Sequence, residues 1–365
     1  MTPRGGAAPL RRVLIVTPLG EGGAGGIDRM MDALRPRGGD FAAQGFALTF
    51  CASRGAGPLA LAPLHLARTL ARVAGPGADL VHINLSSHGS AWRKLGVAAT
   101  ARRFGRPYVV HLHGSRFAEY FDAAGPGLRA LIVRLFTHAA RVVVLGEVWR
   151  DWLAERVPAA APRIDILPNA VATPSRLPPR PAGSPVHILF LGRLGPRKGA
   201  DELLRALAAL PPGLAWRATL AGDGDVAGLA RAVARLGLMG RVRAPGWVGP
   251  AQVQALLADC DIVALPSRQE NLPMSLIEGM AYGRAIIGTP VGAVADIVRP
   301  GETGLLVAPG DVPALTGALG SLIEDADLRA RLGEAARRLH RERLDLDGYA
   351  GRLAAIWRAA QIPVG

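Results

Sequence analysis

Short apolar runs recur along this chain, separated by stretches of helical length rich in alanine, leucine and arginine. In the first half, Val13–Pro18, Phe46–Ala52, Leu80–Asn84, Tyr108–His113, Val142–Leu145 and Arg163–Leu167 read as short buried strands. Trp92–Phe104 and Gly127–His138 are two of the helical stretches between them. The second half repeats the theme, with strands at His187–Leu191, Arg217–Ala221, Val242–Pro245, Asp261–Leu265, Ala285–Gly288 and Gly304–Val307. Helices are expected around Asp201–Leu210, Ala227–Leu236, Ala251–Ala258, Val312–Glu324, Leu328–Arg341 and Tyr349–Ala360. Buried strands alternating with helices argue for parallel sheets wrapped by helices. The proline-rich run from Thr173 to Pro185 interrupts the alternation and reads as a linker. The expected division is therefore residues 1–172, a linker over 173–185, a second domain over 186–342 and a closing segment 343–365.

A chain of 365 residues is long enough for two domains, each with its own core, and 50% hydrophobic residues exclude disorder. Arg, Pro or Gly breaks every long apolar stretch before it reaches the length of a membrane span. Val13 to Val16 is too short for a signal-peptide core, so the start reads as a first strand and the protein as cytoplasmic. Cys51 and Cys260 stand far apart in apolar surroundings and are expected to be free thiols. The net charge of +14 suggests an anionic partner. Lys94 and Lys198 are the only lysines, however, and the Arg, Ala, Gly and Pro bias looks like the composition of a GC-rich genome. No zinc-finger spacing, arginine-rich arm or aromatic RNA-binding motif is present, so nucleic acid is not expected as a partner.

The richest chemistry lies between Ser267 and Gly283, where Glu270 and Glu278 stand eight residues apart. Pro266 stops the strand before them, and the next helix is expected to start near Pro273, since proline is tolerated in a first helical turn. Glu270 then falls in the loop and Glu278 about a turn and a half into the helix. Open parallel sheets bind anionic ligands at such strand-to-helix junctions. Backbone amides around Asn271, Leu272, Pro273, Met274 and Ser275 suit a phosphate, and the carboxylates suit sugar hydroxyls. Two glutamates near a helix start also arise simply because carboxylates favour the macrodipole.

From Pro266 to Val298 the sequence resembles the donor-site signature of retaining glycosyltransferases of family four. That signature is a loop glutamate, seven residues, a helix glutamate, Ala/Gly-Met-Ala-x-Gly, then a strand and a glycine-rich turn. Gly279-Met280-Ala281-Tyr282-Gly283, Ala285–Pro290 and Val291-Gly292-Ala293 fill those places. Asp296 stands where the family usually has glutamate, and Leu272-Pro273 replaces the commoner Phe-Gly. The resemblance implies a GT-B fold, an α/β architecture of two Rossmann-like domains whose parallel sheets face a central cleft. It also implies that the last helix, with Trp357, crosses back onto the first domain.

Gly192-Arg193-Leu194-Gly195-Pro196-Arg197-Lys198-Gly199 places two cations on a strand-to-helix turn. An arginine fork and a lysine point charge suit a diphosphate. The stretch resembles the family's Gly-Arg-Leu-x-x-x-Lys-Gly motif, whose arginine and lysine hold the donor diphosphate. Gly222 and Gly224 match its Gly-x-Gly after the next strand, and read chiefly as a structural turn beside the donor. Val242 to Trp247 matches the segment that covers the nucleobase. On this resemblance Glu278 accepts from ribose hydroxyls and Glu270 from hydroxyls of the transferred sugar.

In the first half, Gly22-Gly23-Ala24-Gly25-Gly26 follows the first strand and is not the dinucleotide fingerprint. The resemblance sets Gly25 and Gly26 against the donor phosphate, with Asp28 a weaker match to the family's glutamate. His111 and His113 share one face of a strand, with no third metal ligand nearby. His113 matches the family's active-site histidine and Asn169 its Pro-Asn-Gly-Val at the domain crossing, while Arg116 and Glu119 are candidates to face the acceptor. No metal and no cofactor beyond a nucleotide-diphosphate sugar is implied. The reaction implied is transfer of its sugar to an acceptor hydroxyl with retention, catalysed by His113, Glu270, Arg193 and Lys198. Trp92-Arg93-Lys94, Arg102-Arg103 and Trp149-Arg150-Asp151-Trp152 combine aromatic and basic residues. Such a patch suits an anionic membrane surface and a lipid-linked glycan acceptor in envelope or polysaccharide synthesis; an ordinary arginine-rich surface with core tryptophans accounts for it equally. A sugar phosphorylase, a nucleotide-sugar epimerase, a dinucleotide oxidoreductase and a catalytically silent subunit remain the alternatives.

Overall fold

The computed structural model describes residues 9–23, 25–177 and 183–361. The chain divides into two compact units, Met1–Pro168 with Asp347–Gly365, and Asn169–Leu346. The first unit holds a six-stranded parallel sheet of β1 (Arg11–Thr17), β2 (Phe46–Ala52), β3 (Leu80–Leu85), β4 (Tyr108–Leu112), β5 (Arg141–Val144) and β6 (Ile164–Ile166). Their order is β2-β1-β3-β4-β5-β6. From β1 the chain steps outward to β2 on one side and then to β3 on the other, so a topological switch point lies between β1 and β3. The crevice at the carboxyl ends of the strands there is where such sheets bind ligands. Val13, Ile15 and Val16 are fully buried, and so is every residue of β3 and nearly every one of β4. Burial on both faces is why these strands read as unbroken apolar runs.

The second unit repeats the design with β7 (Val186–Leu191), β8 (Trp216–Ala221), β9 (Val242–Gly246), β10 (Ile262–Ala264), β11 (Ala285–Gly288) and β12 (Leu305–Leu306). All pairs are parallel and the order is β12-β11-β10-β7-β8-β9, which puts the switch point between β7 and β10. Asp225, Asp311 and Asp325 start three of its helices by accepting from the amides of Gly228 (2.8 Å), Ala314 (2.9 Å) and Leu328 (2.8 Å).

Part of the expected linker, 178–182, lies outside the described residues. The first boundary falls at Pro168, ahead of the expected 172, because Val171 belongs to the second unit's hydrogen-bond network. Its amide donates to Leu344 O at 3.1 Å and its carbonyl accepts from Leu346 N at 3.1 Å. A π-helical turn, His340–Leu344, precedes the last helix, Leu346–Ala359. Trp357 of that helix is fully buried in the first unit, its ring 5.2 Å from Phe41, 5.5 Å from Phe46 and 5.9 Å from His82.

Candidate functional site

The two glutamates sit on a short loop and helix that the second unit packs tightly. After β10, Ser267 is fully buried and Glu270, Asn271 and Leu272 nearly so. The helix Met274–Ala281 follows, with Pro273 in extended conformation as its N-cap. Gly279 explains the small residue in the motif: a Cβ there would lie 2.8 Å from Val263 Cγ2 and 2.9 Å from Ile286 Cδ1. The helix therefore rests directly on β10 and β11. Gly283, at φ +66°, ends it in a left-handed turn, with Gly283 N donating to Met280 O and Arg284 N to Gly279 O, both at 2.9 Å. Gly279→Val should cost about 1–3 kcal/mol by overpacking, read as a fall in urea midpoint at unchanged slope. Glu278 lies one turn in, half-buried, and its charge adds to burial in raising the Tyr282 phenol above its usual range.

Three contacts shape the glutamate loop from outside. Asn169 Nδ2 donates to Leu272 O at 2.8 Å, Ala293 N donates to Asn271 O at 2.7 Å, and Thr289 Oγ1 donates to Ser267 O at 2.6 Å. Gly292 is needed for this fit, since at φ +57° its Cβ would stand 2.3 Å from Glu270 O. The role of Asn169 as a brace for the glutamate loop is one the motif alone did not reveal.

The basic loop lies against this one. Past β7, Arg193 is exposed and has no hydrogen-bond or ion-pair partner among the described residues. Lys198 ends the 3₁₀ turn Pro196–Lys198 and forms an ion pair with Glu270 Oε1, which also accepts from Ser267 Oγ at 2.8 Å. Arg268 N donates to Arg197 O at 2.9 Å and Arg197 Nη1 to Gln269 O at 3.3 Å, so the two loops are stitched along their length. Glu270 lies in the loop as expected, 7% exposed and already engaged. A carboxylate this buried is stable as an anion only with donors at hand. One ammonium proton serves Glu270 Oε1, leaving two for another acceptor, and Glu270 retains Oε2. A pair arranged this way both donates to a phosphate and accepts from a hydroxyl. Gly222 sits where a Cβ would come within 1.8 Å of Gly192 O, so its smallness lets the turn after β8 pack on the basic loop.

In the first unit, His113 follows β4, and its amide extends the ladder to Leu85 O at 2.9 Å. Asn84 Nδ2 donates to Val16 O at 3.2 Å, which turns Asn84 Oδ1 toward His113 Nε2 at 2.9 Å. That bond assigns the proton of His113 to Nε2 and leaves Nδ1 as an acceptor. Beside it lies His111, ring centroids 4.0 Å apart. Trp357 Nε1 donates to His82 Nδ1 at 3.1 Å, so His82 carries its proton on Nε2, 3.3 Å from His111 Nδ1. Burial holds His82 and His113 down to about 3 and His111 well below the usual range, with repulsion inside the cluster adding to it for His111 and His113. The cluster is thus neutral at physiological pH. His82, and the bond that Trp357 makes to it, escaped sequence reasoning because neither residue stands near His113 in the chain.

Asp28 is 1% exposed and accepts from Leu19 N at 3.0 Å and Gly20 N at 3.1 Å, so it folds the glycine-rich loop. Gly25 caps the short helix Gly26–Asp32, Gly26 is exposed with open space where a Cβ would be, and Ala24 lies outside the described residues. Arg116 and Glu119 pair with each other on the surface at 3.2 Å. Within the supposed interfacial patch Lys94 is fully buried, and Trp149, 7% exposed, packs against Trp152 in an aromatic cluster with Phe117 and Phe121. Only Trp92 of these three is exposed. Among the described residues no helix is long and apolar enough to cross a membrane.

Residues 6–170 match the family of the Glycosyl transferase 4-like domain and residues 178–339 that of Glycosyl transferases group 1. The chain is 31% identical over 280 residues to 2-deoxystreptamine glucosyltransferase of Streptomyces kanamyceticus, a match spanning 69% of this chain and 71% of that one. It is likewise 31% identical over 282 residues to 2-deoxystreptamine N-acetyl-D-glucosaminyltransferase of Streptomyces fradiae, covering 71% and 66%. Among solved structures, Anabaena HepE in complex with UDP and glucose matches with a TM-score of 0.75 at 21% identity, over 96% of this chain and 100% of that one. Sucrose-phosphate synthase from Thermosynechococcus elongatus matches with 0.78 at 21%, over 95% and 98%. At these identities the structural likeness speaks for the fold, which is of the GT-B type. With both halves matched and a 31% relative aligned along most of its length, the chain belongs to the glycosyltransferases of group 1, the family-four type that uses nucleotide sugars.

Proposed function

We propose that this glycosyltransferase moves a sugar from a nucleotide diphosphate to an acceptor hydroxyl with retention at the anomeric carbon. The observation that carries this reading is the Lys198–Glu270 pair, which puts a phosphate donor and a hydroxyl acceptor on one stitched pair of loops. In the reaction the bond from C1 to the diphosphate oxygen breaks with its electron pair going to the diphosphate. Arg193, Lys198 and the first-turn amides of Met274–Ala281 stabilise that growing charge. The acceptor oxygen bonds C1 on the same face and gives its proton to the departing phosphate. Glu278 takes the ribose hydroxyls and Glu270 those of the transferred sugar. Neutral His113 offers Nδ1 to a sugar hydroxyl. Arg193 and Lys198 meet the diphosphate charge that a divalent ion meets in other transferases, so EDTA should leave turnover unchanged within about twofold.

The acceptor we favour is a glycan, lipid-linked, in polysaccharide or envelope synthesis. Flotation with anionic vesicles at low salt tests its membrane part, and failure to float ends that part. For the core reading, each nucleotide diphosphate is screened by thermal shift, and the anomeric proton of the product made from the matching sugar donor is read by NMR. Inversion, or release of sugar only with inorganic phosphate, overturns it. Trp247, 68% exposed just past β9, is the natural platform for the base. Its replacement by alanine should weaken nucleotide binding about tenfold, within the range for one lost base–aromatic stack. Calorimetric titration with the nucleotide found in the screen checks this.

A further inference from the structure

Behind the glycine-rich loop, at the switch point of the first sheet, lies a group of cations that the reaction as written does not use. Lys94 is fully buried in the helix Gly89–Arg103, and its Nζ donates to Ser53 Oγ at 2.5 Å and to Thr17 O at 3.3 Å. Thr17 closes β1 and Ser53 follows β2, so the lysine pins the carboxyl ends of both strands to the helix after β3. The pinning sets the chain neighbours of its two ends, Arg54 and Arg93, close together. Arg54 N donates to Pro18 O at 2.9 Å, holding that residue beside the loop after β1.

Neither guanidinium makes a hydrogen bond or ion pair among the described residues, and the Nε of each is buried with no partner. The hydroxyl of Ser90, one turn before Lys94, is buried and unpartnered as well. Burial and the facing Arg54 both weaken the hold of Arg93 on its proton. The one carboxylate that acts on Lys94, Asp28, already spends its Oδ1 on the amides of Leu19 and Gly20. Both side chains are half-buried with each Nε out of reach of water, and like charges placed together this way oppose folding unless an anion compensates them. Two guanidinium forks and a hydroxyl match the oxygens of a phosphate.

We infer that Arg54 and Arg93, with Ser90, form an anion site at the β1/β3 switch point that takes a phosphate group carried by the acceptor. Assigning the phosphate to the acceptor rests on the transferase reading; the anion site itself does not. It places the acceptor among phosphorylated molecules, either soluble or with the phosphate in a lipid headgroup.

The test follows the arginine Nε–H signals by NMR in full-length protein carrying Arg193→Ala and Lys198→Ala, which removes the donor-side cations. Arg54→Lys and Arg93→Lys identify the two signals by their loss. Inorganic phosphate and pyrophosphate should shift both; if only phosphatidic acid in phosphatidylcholine vesicles shifts them, the phosphate belongs to a lipid. No shift with any of the three overturns the inference. Because neither arginine has a partner to lose, Arg54→Gln and Arg93→Gln should melt no lower than the parent without phosphate, and should lose most of its phosphate-induced stabilisation. A lower melting point with the phosphate response intact assigns the arginines a purely structural role and also overturns it. Should the nucleotide screen on the wild-type chain fail while these shifts appear, the anion site stands and the transferase reading falls.

Discussion

Lys198→Ala is expected to lower kcat about 10²- to 10³-fold, the usual cost of removing one preorganised donor from a developing oxyanion. The effect falls on kcat because the leaving diphosphate is most highly charged in the transition state. Without a ligand, Lys198 has one acceptor, Glu270 Oε1. Donor binding gives its free protons a second, and the pairing keeps the ammonium in place beforehand. The substitution also leaves a carboxylate of 7% exposure with Ser267 as its remaining neighbour, which should lower stability. The double variant Lys198→Ala, Glu270→Gln separates the two effects, since a neutral amide needs no cation. Its urea midpoint should return toward wild type while turnover stays low. Recovery of turnover along with stability would mean that Lys198 serves the fold alone. Arg193→Ala should show the kinetic loss with no stability loss, since Arg193 is exposed and unpartnered.

The sheets were legible because parallel strands buried on both faces leave unbroken apolar runs. Phe46–Ala52, Ala285–Gly288 and the start of β4 fall where those runs predict. The helix Ala62–Ala74 lies between two of those strands, where the alternation calls for one, although only Thr69 and Val73 of its thirteen residues are buried. Gly279 and Gly283 were legible as a motif, and the structure supplies their reasons in close packing on β10 and β11 and in a left-handed helix end. Contacts across long chain separations were not. Lys198 and Glu270 are 72 positions apart, Asn169 and Leu272 are 103, and His82 and Trp357 are 275. Lys94 misled for the same reason. An Arg-Lys pair beside an exposed tryptophan reads as surface, and only the fold brings Ser53 and Thr17 O around the ammonium.

The second large effect concerns acid. His82 and His111 are fully buried and neutral, with His82 held at about 3 and His111 well below the usual range by desolvation. In the unfolded chain each titrates near its ordinary value of about 6.5. Below that value the unfolded state binds more protons than the folded one, so stability falls as pH falls. The stability these residues contribute is therefore complete above about 6.5 and is lost on the way down toward about 3. Each adds a slope of at most about 1.4 kcal/mol per pH unit, so the pair removes up to about 4 kcal/mol between pH 6.5 and 5. Against a typical total of about 5–15 kcal/mol that is a large loss. Burial depresses His187 and His340 of the second unit in the same direction. The salt-bridged carboxylate of Asp79 is also depressed, chiefly by its bond from Arg12, but its loss comes at still lower pH. Urea unfolding from pH 7 to 5 measures the slope. His111→Phe removes one titrating group and the ring nitrogen that has no partner, at a pH-independent cost from the larger ring and from the acceptor lost to His82 Nε2. The slope should then drop by about one proton, leaving the variant relatively more stable at pH 5 than at pH 7. An unchanged slope would mean that His111 takes up its proton in the folded state, and the neutral cluster beside His113 would have to be abandoned.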